Sequence, residues 1–303
     1  MDRGLQSILN KLPEHLKNRI NGLDTDTLEK LEEIRIKVYT DTIVIADGKE
    51  FDLNDGHRIT PESLEHILDV LVDYSYYAYE DELNNGFITI EGGHRVGLCG
   101  RVTLKNNKVH LIKDISSLNI RRSREVIGAS DNIMDLIDDK TGTVSNTLII
   151  SPPKCGKTTI LRDIARNLSN GGYRVSICDE RSELAGCYNG IPSYDLGSRT
   201  DILDGCPKAQ GIIMLIRSMS PEVIITDEIG KPEDVTAIEE AANSGINIIT
   251  SIHGSSYDDV IDSAIGKLLN NKIFDTLIFL SSTPNVGSIS KVMKVSHEKK
   301  EIK

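Results

Sequence analysis

The sequence predicts an α/β protein of two domains: a smaller α+β domain over residues 1–125, and a larger domain with a mainly parallel sheet over residues 126–303. A length of 303 residues exceeds the usual single domain of about 100–200 residues. In the second part, apolar strands alternate with amphipathic helices, which is typical of a parallel sheet. In the first part, alternating strands separated by tight turns are mixed with short helices.

Charge and cysteine content narrow the class of protein. With 46 acidic and 35 basic residues the formal charge is −11, which argues against a surface that binds nucleic-acid phosphates throughout. Five cysteines without a C-x-x-C pair indicate reduced thiols. The first residues lack the pattern of a signal peptide, and no apolar run approaches about 18 residues. We therefore expect a cytoplasmic protein that reaches a membrane only through a partner.

In the first domain, apolar spacing over residues 5–20 predicts two short helices interrupted by Pro13. Alternation over residues 34–39 predicts a strand, and Asp47-Gly48 predicts the turn of a hairpin after it. Thr60-Pro61 is typical of a helix start.

That helix is expected to run into the tyrosines of residues 74–79. Since acidic residues surround these tyrosines, we expect them to pack in the protein rather than stack on bases. Residues 87–109 predict two or three strands, with a turn at Asn106-Asn107, and residues 131–138 predict a helix after a polar connector.

In the second domain, apolar strands are predicted at residues 147–150, 174–178, 222–226, 246–250 and 276–280. Helices are predicted from Lys157 onward and over residues 233–243 and 257–269. The charged residues 298–303 are expected to be loose.

A phosphate-binding loop is predicted between the first of these strands and its helix. The pattern is G-x-x-x-x-G-K-[ST], and residues 151–158 read SPPKCGKT, with Ser151 in place of the first glycine. A Gly-Lys-Thr that merely opens a helix is the alternative, but the flanking strand and helix favour phosphate binding. Lys157 is expected to reach the β- and γ-phosphates and Thr158 to hold Mg²⁺. The expected nucleotide contacts are Pro153, Lys154, Cys155, Gly156, Lys157, Thr158 and Thr159.

A second strand end carries two acids, Asp227 and Glu228. Beside a phosphate loop, Asp227 would bind Mg²⁺ and Glu228 would orient or deprotonate the attacking water, whereas the alternative is an exposed acidic turn. No Asn-Lys-x-Asp motif is present to read guanine, so ATP with Mg²⁺ is the expected cofactor pair.

Longer stretches carry a family resemblance. Residues 179–186 (DERSELAG), 215–230 (LIRSMSPEVIITDEIG) and 241–254 (AANSGINIITSIHG) resemble the secretion-type P-loop ATPases of type II and type IV systems. Residues 92–98 (GGHRVGL), 114–121 (DISSLNIR) and 199–208 (RTDILDGCPK) extend the likeness to the stage III sporulation protein AA family, and it covers most of the chain.

This resemblance implies a RecA-like ATPase domain and a hexameric ring with ATP between subunits. It also implies location in the mother cell of an endospore-forming bacterium, peripheral at the forespore-facing membrane. The implied partner is an inner-membrane component of a sporulation channel complex that the ATPase powers.

The resemblance also implies roles for further residues. Asp179, Glu180 and Glu183 match an acidic box, with Glu180 the catalytic candidate; from the residues alone, they could instead favour the start of a helix. His253 matches a histidine box, and its imidazole would either sense the γ-phosphate or satisfy a backbone group.

A ring ATPase also needs a guanidinium at the γ-phosphate. The candidates are Arg95, Arg101, Arg121 and Arg199, with Arg121 taken as the catalytic one and a surface ion pair as the alternative.

Two other functions remain open at this level. The chain could be an ATP-gated docking ring with negligible hydrolysis, which phosphate release would distinguish from an ATPase. A nucleic-acid motor is the third reading, which the acidic composition disfavours. No nucleic-acid partner is expected.

Overall fold

A computed structural model of the chain describes residues 3–53, 56, 58–105, 108–139 and 142–295. It contains two compact units. Unit 1 comprises Met1–Arg124 and Gly186–Ser193, and unit 2 comprises Glu125–Ala185 and Tyr194–Lys303. The turn expected at Asn106-Asn107 and the loose end expected over residues 298–303 lie outside the described residues.

Unit 1 is built on a six-stranded antiparallel sheet of order β3-β2-β1-β6-β5-β4. Its strands are β1 (Leu31–Lys37), β2 (Ile43–Ala46), β3 (Lys49–Asp52), β4 (Phe87–Ile90), β5 (His94–Lys105) and β6 (Lys108–Arg121). Its helices are α1 (Arg3–Asn10), α2 (Glu14–Asn21), α3 (Thr25–Lys30), α4 (Pro61–Leu71) and α5 (Glu80–Asn84), with a 3-10 turn over Tyr76–Tyr79.

Local chemistry explains the elements of unit 1 that the sequence predicts. Pro13 separates α1 from α2, because it has no N–H to continue a helix. The Thr60 hydroxyl accepts the N–H of Ser63 at 3.2 Å and caps α4. The apolar faces of these helices cover the sheet in one core, which includes the fully buried Leu9 and Ile34.

The tyrosine region differs from the prediction. Helix α4 ends at Leu71, and the next turn takes positive φ at Asp73 (49°) and Tyr74 (57°), so the helix does not reach the cluster. Tyr79 is buried, as expected, but Tyr74, Tyr76 and Tyr77 are exposed, and the packing expectation is wrong for these three. Tyr76 instead donates its hydroxyl to Asp69 at 2.7 Å.

Unit 2 contains a seven-stranded sheet of order β13-β12-β7-β11-β10-β8-β9. Its strands are β7 (Thr147–Ser151), β8 (Val175–Asp179), β9 (Thr200–Asp204), β10 (Val223–Glu228), β11 (Asn247–His253), β12 (Thr276–Ser281) and β13 (Ser288–Lys294). Its helices are α6 (Met134–Ile137), α7 (Lys157–Asn170), α8 (Lys208–Met219), α9 (Pro232–Asn243), α10 (Tyr257–Ile261) and α11 (Gly266–Asn270). All pairs are parallel except the pair between β12 and β13.

Three elements of unit 2 have no counterpart in the sequence prediction: β9, α8 and β13. The unbroken apolar run in α8, IIMLI after Gly211, hides the helical period. The single helix expected over residues 257–269 is two helices. The Ser263 hydroxyl donates to Val260 O at 2.6 Å and accepts Ile265 N–H at 3.2 Å, which competes with helical hydrogen bonds between α10 and α11.

Two further observations concern the described part of the chain. All five cysteines are free thiols, as the sequence predicts. No helix among the described residues has the length and apolar character required to span a bilayer.

Candidate phosphate-binding site

The parallel sheet of unit 2 brings the ends of the neighbouring strands β7, β11, β10 and β8 to one edge. In the sheet register, Ser151 at the end of β7 lies opposite His253 at the end of β11, and Ser251 of β11 lies opposite Glu228 of β10. Ligands of open α/β sheets bind at the carboxyl ends of strands, so this edge is the expected place for a site.

The predicted phosphate loop lies directly after β7. Gly156 takes φ +84°, and the 14-residue helix α7 begins at Lys157. Gly156 provides no side-chain cap, so the backbone N–H groups of the first helical turn can serve an anion. Pro153 and Lys154 are exposed, Cys155 is buried, and Thr158 and Thr159 are half-buried.

Ser151 in place of the usual glycine fits this loop without backbone strain. Ser151 is a buried residue of β7 and is not among the residues with positive φ. Its carbonyl accepts the Gly254 N–H at 3.3 Å and the Lys157 ammonium at 3.2 Å. The serine hydroxyl donates to Pro152 O at 2.9 Å.

In the loop, Gly156 is a position at which any other residue would introduce strain. A Cβ there would lie 3.2 Å from Val286 Cγ1, in addition to the left-handed backbone. We expect Gly156→Ala to weaken nucleotide binding about tenfold, because one left-handed non-glycine residue costs about 1–2 kcal/mol and the loop would relax away from anion-binding geometry. Titration with a fluorescent ATP analogue measures this.

The matched control is Gly245→Ala. Gly245 has a similar φ of +78° but nothing within 4 Å of an added Cβ. It should lose a similar amount of folding stability while binding the analogue with wild-type affinity. Equal binding by both variants would contradict the assignment of Gly156.

Lys157 connects the loop to the acids of β10. Its ammonium lies 3.4 Å from Glu228 Oε2, and the Glu228 side chain is half exposed. A phosphate tail carries the same charge as this carboxylate, so the ammonium that now faces Glu228 can face phosphate instead.

Asp227 is much more buried than Glu228 and has a different partner. Its Oδ1 lies 2.5 Å from Nζ of Lys208 at the start of α8. Burial raises the pKa of Asp227, and the Lys208 ammonium opposes that rise. Burial lowers the pKa of Lys208, but Asp227 outweighs this and the net pKa is raised. On balance the pKa of Asp227 is raised as well, because burial outweighs the opposing Lys208 ammonium.

Glu180, just after β8, lies between two lysines. Its carboxylate is 3.1 Å from Lys231 Nζ and 3.4 Å from Lys208 Nζ. Burial raises the pKa of Glu180, but these two ammonium groups together hold it below its ordinary value. The cleft between these strand ends is lined by Lys157, Thr158, Glu180, Glu183, Lys208, Asp227, Glu228, Lys231, Asp234 and Ser251, among others.

Asp179, the first residue of the acidic box, organises the chain beside the cleft. It is fully buried and accepts the N–H groups of Glu183, Leu184 and Ala185 at 2.8–2.9 Å. The buried Arg162 donates to the carbonyls of Glu183 and Leu184, at 2.9 and 2.8 Å, and completes the support of this turn. Asp179 thus holds the segment that carries Glu183.

The remaining two predicted site residues, His253 and Arg121, belong to different units. His253 is exposed at the end of β11, beside the phosphate loop. Arg121 is the last residue of β6 in unit 1, 3.7 Å from Glu33, and is not among the residues that line the cleft of unit 2. Its role as the arginine at the γ-phosphate stays a prediction.

The other three candidates for the arginine at the γ-phosphate have the following contacts. Arg95 lies over the Phe87 ring at 3.9 Å, and Arg101 lies 4.0 Å from Asp114. Arg199 precedes β9, with its N–H donated to Ser169 at 2.7 Å.

Two lysines of the cleft, Lys208 and Lys231, were not predicted as site residues from the sequence. Lys208 lies in the stretch RTDILDGCPK, which carries the family resemblance, and Lys231 follows Glu228 after Ile229 and Gly230. A lysine next to an unassigned apolar run gave no local signal. The acid it pairs with, Asp227, is far along the chain.

The residues present fit a nucleotide with a divalent cation. The cleft offers an ammonium and a helix start for phosphate, together with carboxylate and hydroxyl oxygens at Asp227 and Thr158. Oxygen donors of this kind suit Mg²⁺, which binds through one or two protein ligands and the phosphates. The Lys208 ammonium on Asp227 shows that this position accommodates a cation.

Comparisons with known proteins identify the family of the chain. A family model described as "Sporulation stage III, protein AA" matches residues 3–300. The chain is 41% identical over 294 residues to the stage III sporulation protein AA of Bacillus subtilis (strain 168), covering 95% of this chain and 94% of that protein.

Solved structures show the fold. The X-ray structure of the Legionella pneumophila ATPase DotB matches with a TM-score of 0.60 at 16% identity, covering 88% of this chain and 76% of that one. The crystal structure of the pilus retraction motor PilT with bound ADP matches with a TM-score of 0.61 at 16% identity, covering 88% and 79%. The RecA-like α/β fold predicted from sequence is confirmed.

Proposed function

Since the chain belongs to the sporulation stage III protein AA family, we propose that it is a Mg²⁺-dependent ATPase of the secretion type. One observation carries the proposal: the Lys157 ammonium of a phosphate loop lies 3.4 Å from Glu228 at the end of a neighbouring strand. Their proximity at one sheet edge supports Lys157 as the phosphate-binding cation and Glu228 as the carboxylate that acts on water.

The residues divide the work of hydrolysis as follows. Lys157 and the backbone of residues 153–159 bind the β- and γ-phosphates. Thr158 and Asp227 would hold Mg²⁺, which supplies neutralisation of phosphate charge when bound. Glu228, half exposed at the cleft, orients the attacking water and accepts its proton, and Glu180 supports the water or the cation at the other side.

Two further residues complete the proposed machinery. His253, at the end of the strand beside the phosphate loop, senses the γ-phosphate. Arg121, exposed at the end of β6, supplies a guanidinium to the ATP of a neighbouring subunit.

The assembly belongs to the same proposal. The chain forms a hexameric ring with ATP between subunits, in the mother-cell cytoplasm. It docks on an inner-membrane component of a channel complex at the forespore-facing membrane and powers that complex. The relatives named above as an ATPase and as a pilus retraction motor support this class of activity.

Glu228→Gln tests hydrolysis separately from binding. Without a base for the water, phosphate release should fall about a hundredfold. Binding of a fluorescent ATP analogue should persist or tighten, since Gln removes the carboxylate that faces Lys157. The measurement is phosphate release by the purified oligomer with Mg²⁺-ATP.

Glu239→Gln is the matched control, because Glu239 pairs with Lys267 at 2.8 Å and does not line the cleft. Its phosphate release should equal that of wild type. A rate unchanged by Glu228→Gln would instead favour an ATP-gated docking ring with negligible turnover.

A further inference from the structure

Lys208 makes three contacts that the proposed reaction does not use. It begins helix α8, and its side chain is only 5% exposed. Its ammonium lies 2.5 Å from Asp227 Oδ1, 2.7 Å from the Glu228 carbonyl oxygen and 3.4 Å from Glu180 Oε2. Three oxygens from two different strand ends thus surround one buried positive charge.

This oxygen set resembles a cation site. Two carboxylates and a main-chain carbonyl are the donors that hard divalent cations take in proteins. A buried carboxylate such as Asp227 requires a compensating charge, and Lys208 supplies it from within the chain. A divalent cation bound directly to the same Asp227 oxygen would have to displace this ammonium.

Lys231, which also lines the cleft, differs from Lys208 in its exposure and in its contacts. Lys231 is largely exposed and contacts Glu180 through its other oxygen, Oε1, at 3.1 Å. Glu180 therefore has one ammonium on each oxygen, one buried and one exposed. Of these two lysines, Lys208 is the one paired with Asp227.

We propose that Lys208 is an internal counter-cation for Asp227 in the nucleotide-free protein, and that it keeps divalent cations from binding the strand-end acids until nucleotide phosphate enters the cleft. The inference rests on the proposed function, since the excluded cation is the Mg²⁺ that would enter the cleft with ATP. Glu180, already 3.4 Å from the ammonium, is placed to receive it when Asp227 turns to the cation. Lys208 is in this sense a positioning residue that makes metal loading depend on nucleotide.

Mn²⁺ binding to the nucleotide-free protein tests this directly. Electron paramagnetic resonance of free Mn²⁺ reports how much metal the protein binds. We expect Lys208→Met to raise Mn²⁺ affinity about 10- to 100-fold over wild type. Adding Asp227→Asn to that variant should remove the gain.

The matched control is Lys231→Met, which removes a cleft lysine that does not contact Asp227 and should leave Mn²⁺ affinity within about twofold of wild type. Equal Mn²⁺ affinity of wild type and Lys208→Met would overturn the proposal. So would a gain in Lys231→Met as large as that in Lys208→Met, because the effect would then be one of overall charge.

Wild-type protein keeps the proposal testable if Lys208→Met does not fold. In the nucleotide-free protein, Asp227→Asn should leave Mn²⁺ affinity at the wild-type value, and in the presence of a non-hydrolysable ATP analogue the same substitution should lower it. An Asp227-dependent site without nucleotide would refute the counter-cation role. Because the nucleotide-free measurements need no ATP binding or turnover, they can succeed where the proposed ATPase activity fails, and the reverse also holds.

Discussion

Lys157→Ala is expected to reduce ATP hydrolysis about a thousandfold, to the background of phosphate release. The Lys157 ammonium at the start of α7 contacts Ser151 O and Glu228, and removal of one preorganised donor from developing phosphate charge typically costs about 3–4 kcal/mol. Nucleotide affinity should also fall, because a charge-assisted contact to phosphate is lost. Phosphate release and analogue titration on the same preparation measure both effects.

Lys267→Ala provides the control for loss of a lysine. Lys267 is exposed and pairs with Glu239 at 2.8 Å on the surface of unit 2. Its removal should leave both measurements unchanged. Wild-type turnover in Lys157→Ala would remove the phosphate-loop assignment, whatever the control showed.

Asp179→Asn is expected to change how stability depends on pH. Burial raises the pKa of Asp179 from 3.8 to about 6, although the N–H groups of Ala185 and Glu183 oppose the rise. Between those values the folded protein keeps a proton that the unfolded chain releases, so this group's contribution to stability falls as pH rises. The difference of about two pKa units corresponds to about 3 kcal/mol.

The measurement is urea unfolding of wild type and variant from about pH 4 to pH 7. An amide does not titrate, so Asp179→Asn should gain about 3 kcal/mol relative to wild type across that range. A difference that stays flat with pH would contradict the assignment of a buried, raised-pKa carboxyl to residue 179.

Asp163→Asn is the matched control with the opposite sign. Asp163 is also buried, and burial raises its pKa, but Ser130, Arg166 and the N–H of Gly128 together lower it below 3.8. Its contribution to stability is present above the unfolded pKa and is lost as pH falls through the folded one. Relative to wild type, Asp163→Asn should therefore become less destabilised on acidification.

How far the sequence predicted this protein depends on how local each signal is. The candidate phosphate loop could be predicted from the sequence, because a buried strand, the residues Gly156-Lys157-Thr158 and an amphipathic helix follow one another directly. The sequence did not predict the break between helices at Ser263 or the end of α4 before Asp73. Both depend on side-chain hydrogen bonds or left-handed backbone that periodicity does not report.

The tyrosines show the limit of composition as evidence. Acidic neighbours argue against a base-stacking surface, which stays a prediction, and they did not tell which rings enter the core. Of the four, Tyr79 is buried in the core of unit 1, whereas Tyr74, Tyr76 and Tyr77 are exposed.

The sequence alone determined the class of fold, the strand–loop–helix order of the candidate phosphate loop and the two acids at the end of β10, because each follows from residues adjacent in the chain. The tertiary structure decided which charges meet. Lys208 contacts Asp227 and Glu180, and Lys157 contacts Glu228, only because parallel strands end at one edge of the sheet. It also decided that Asp179 is fully buried among backbone N–H groups. Such pairings depend on the spatial order of the strands in the sheet, which residue spacing along the chain does not encode.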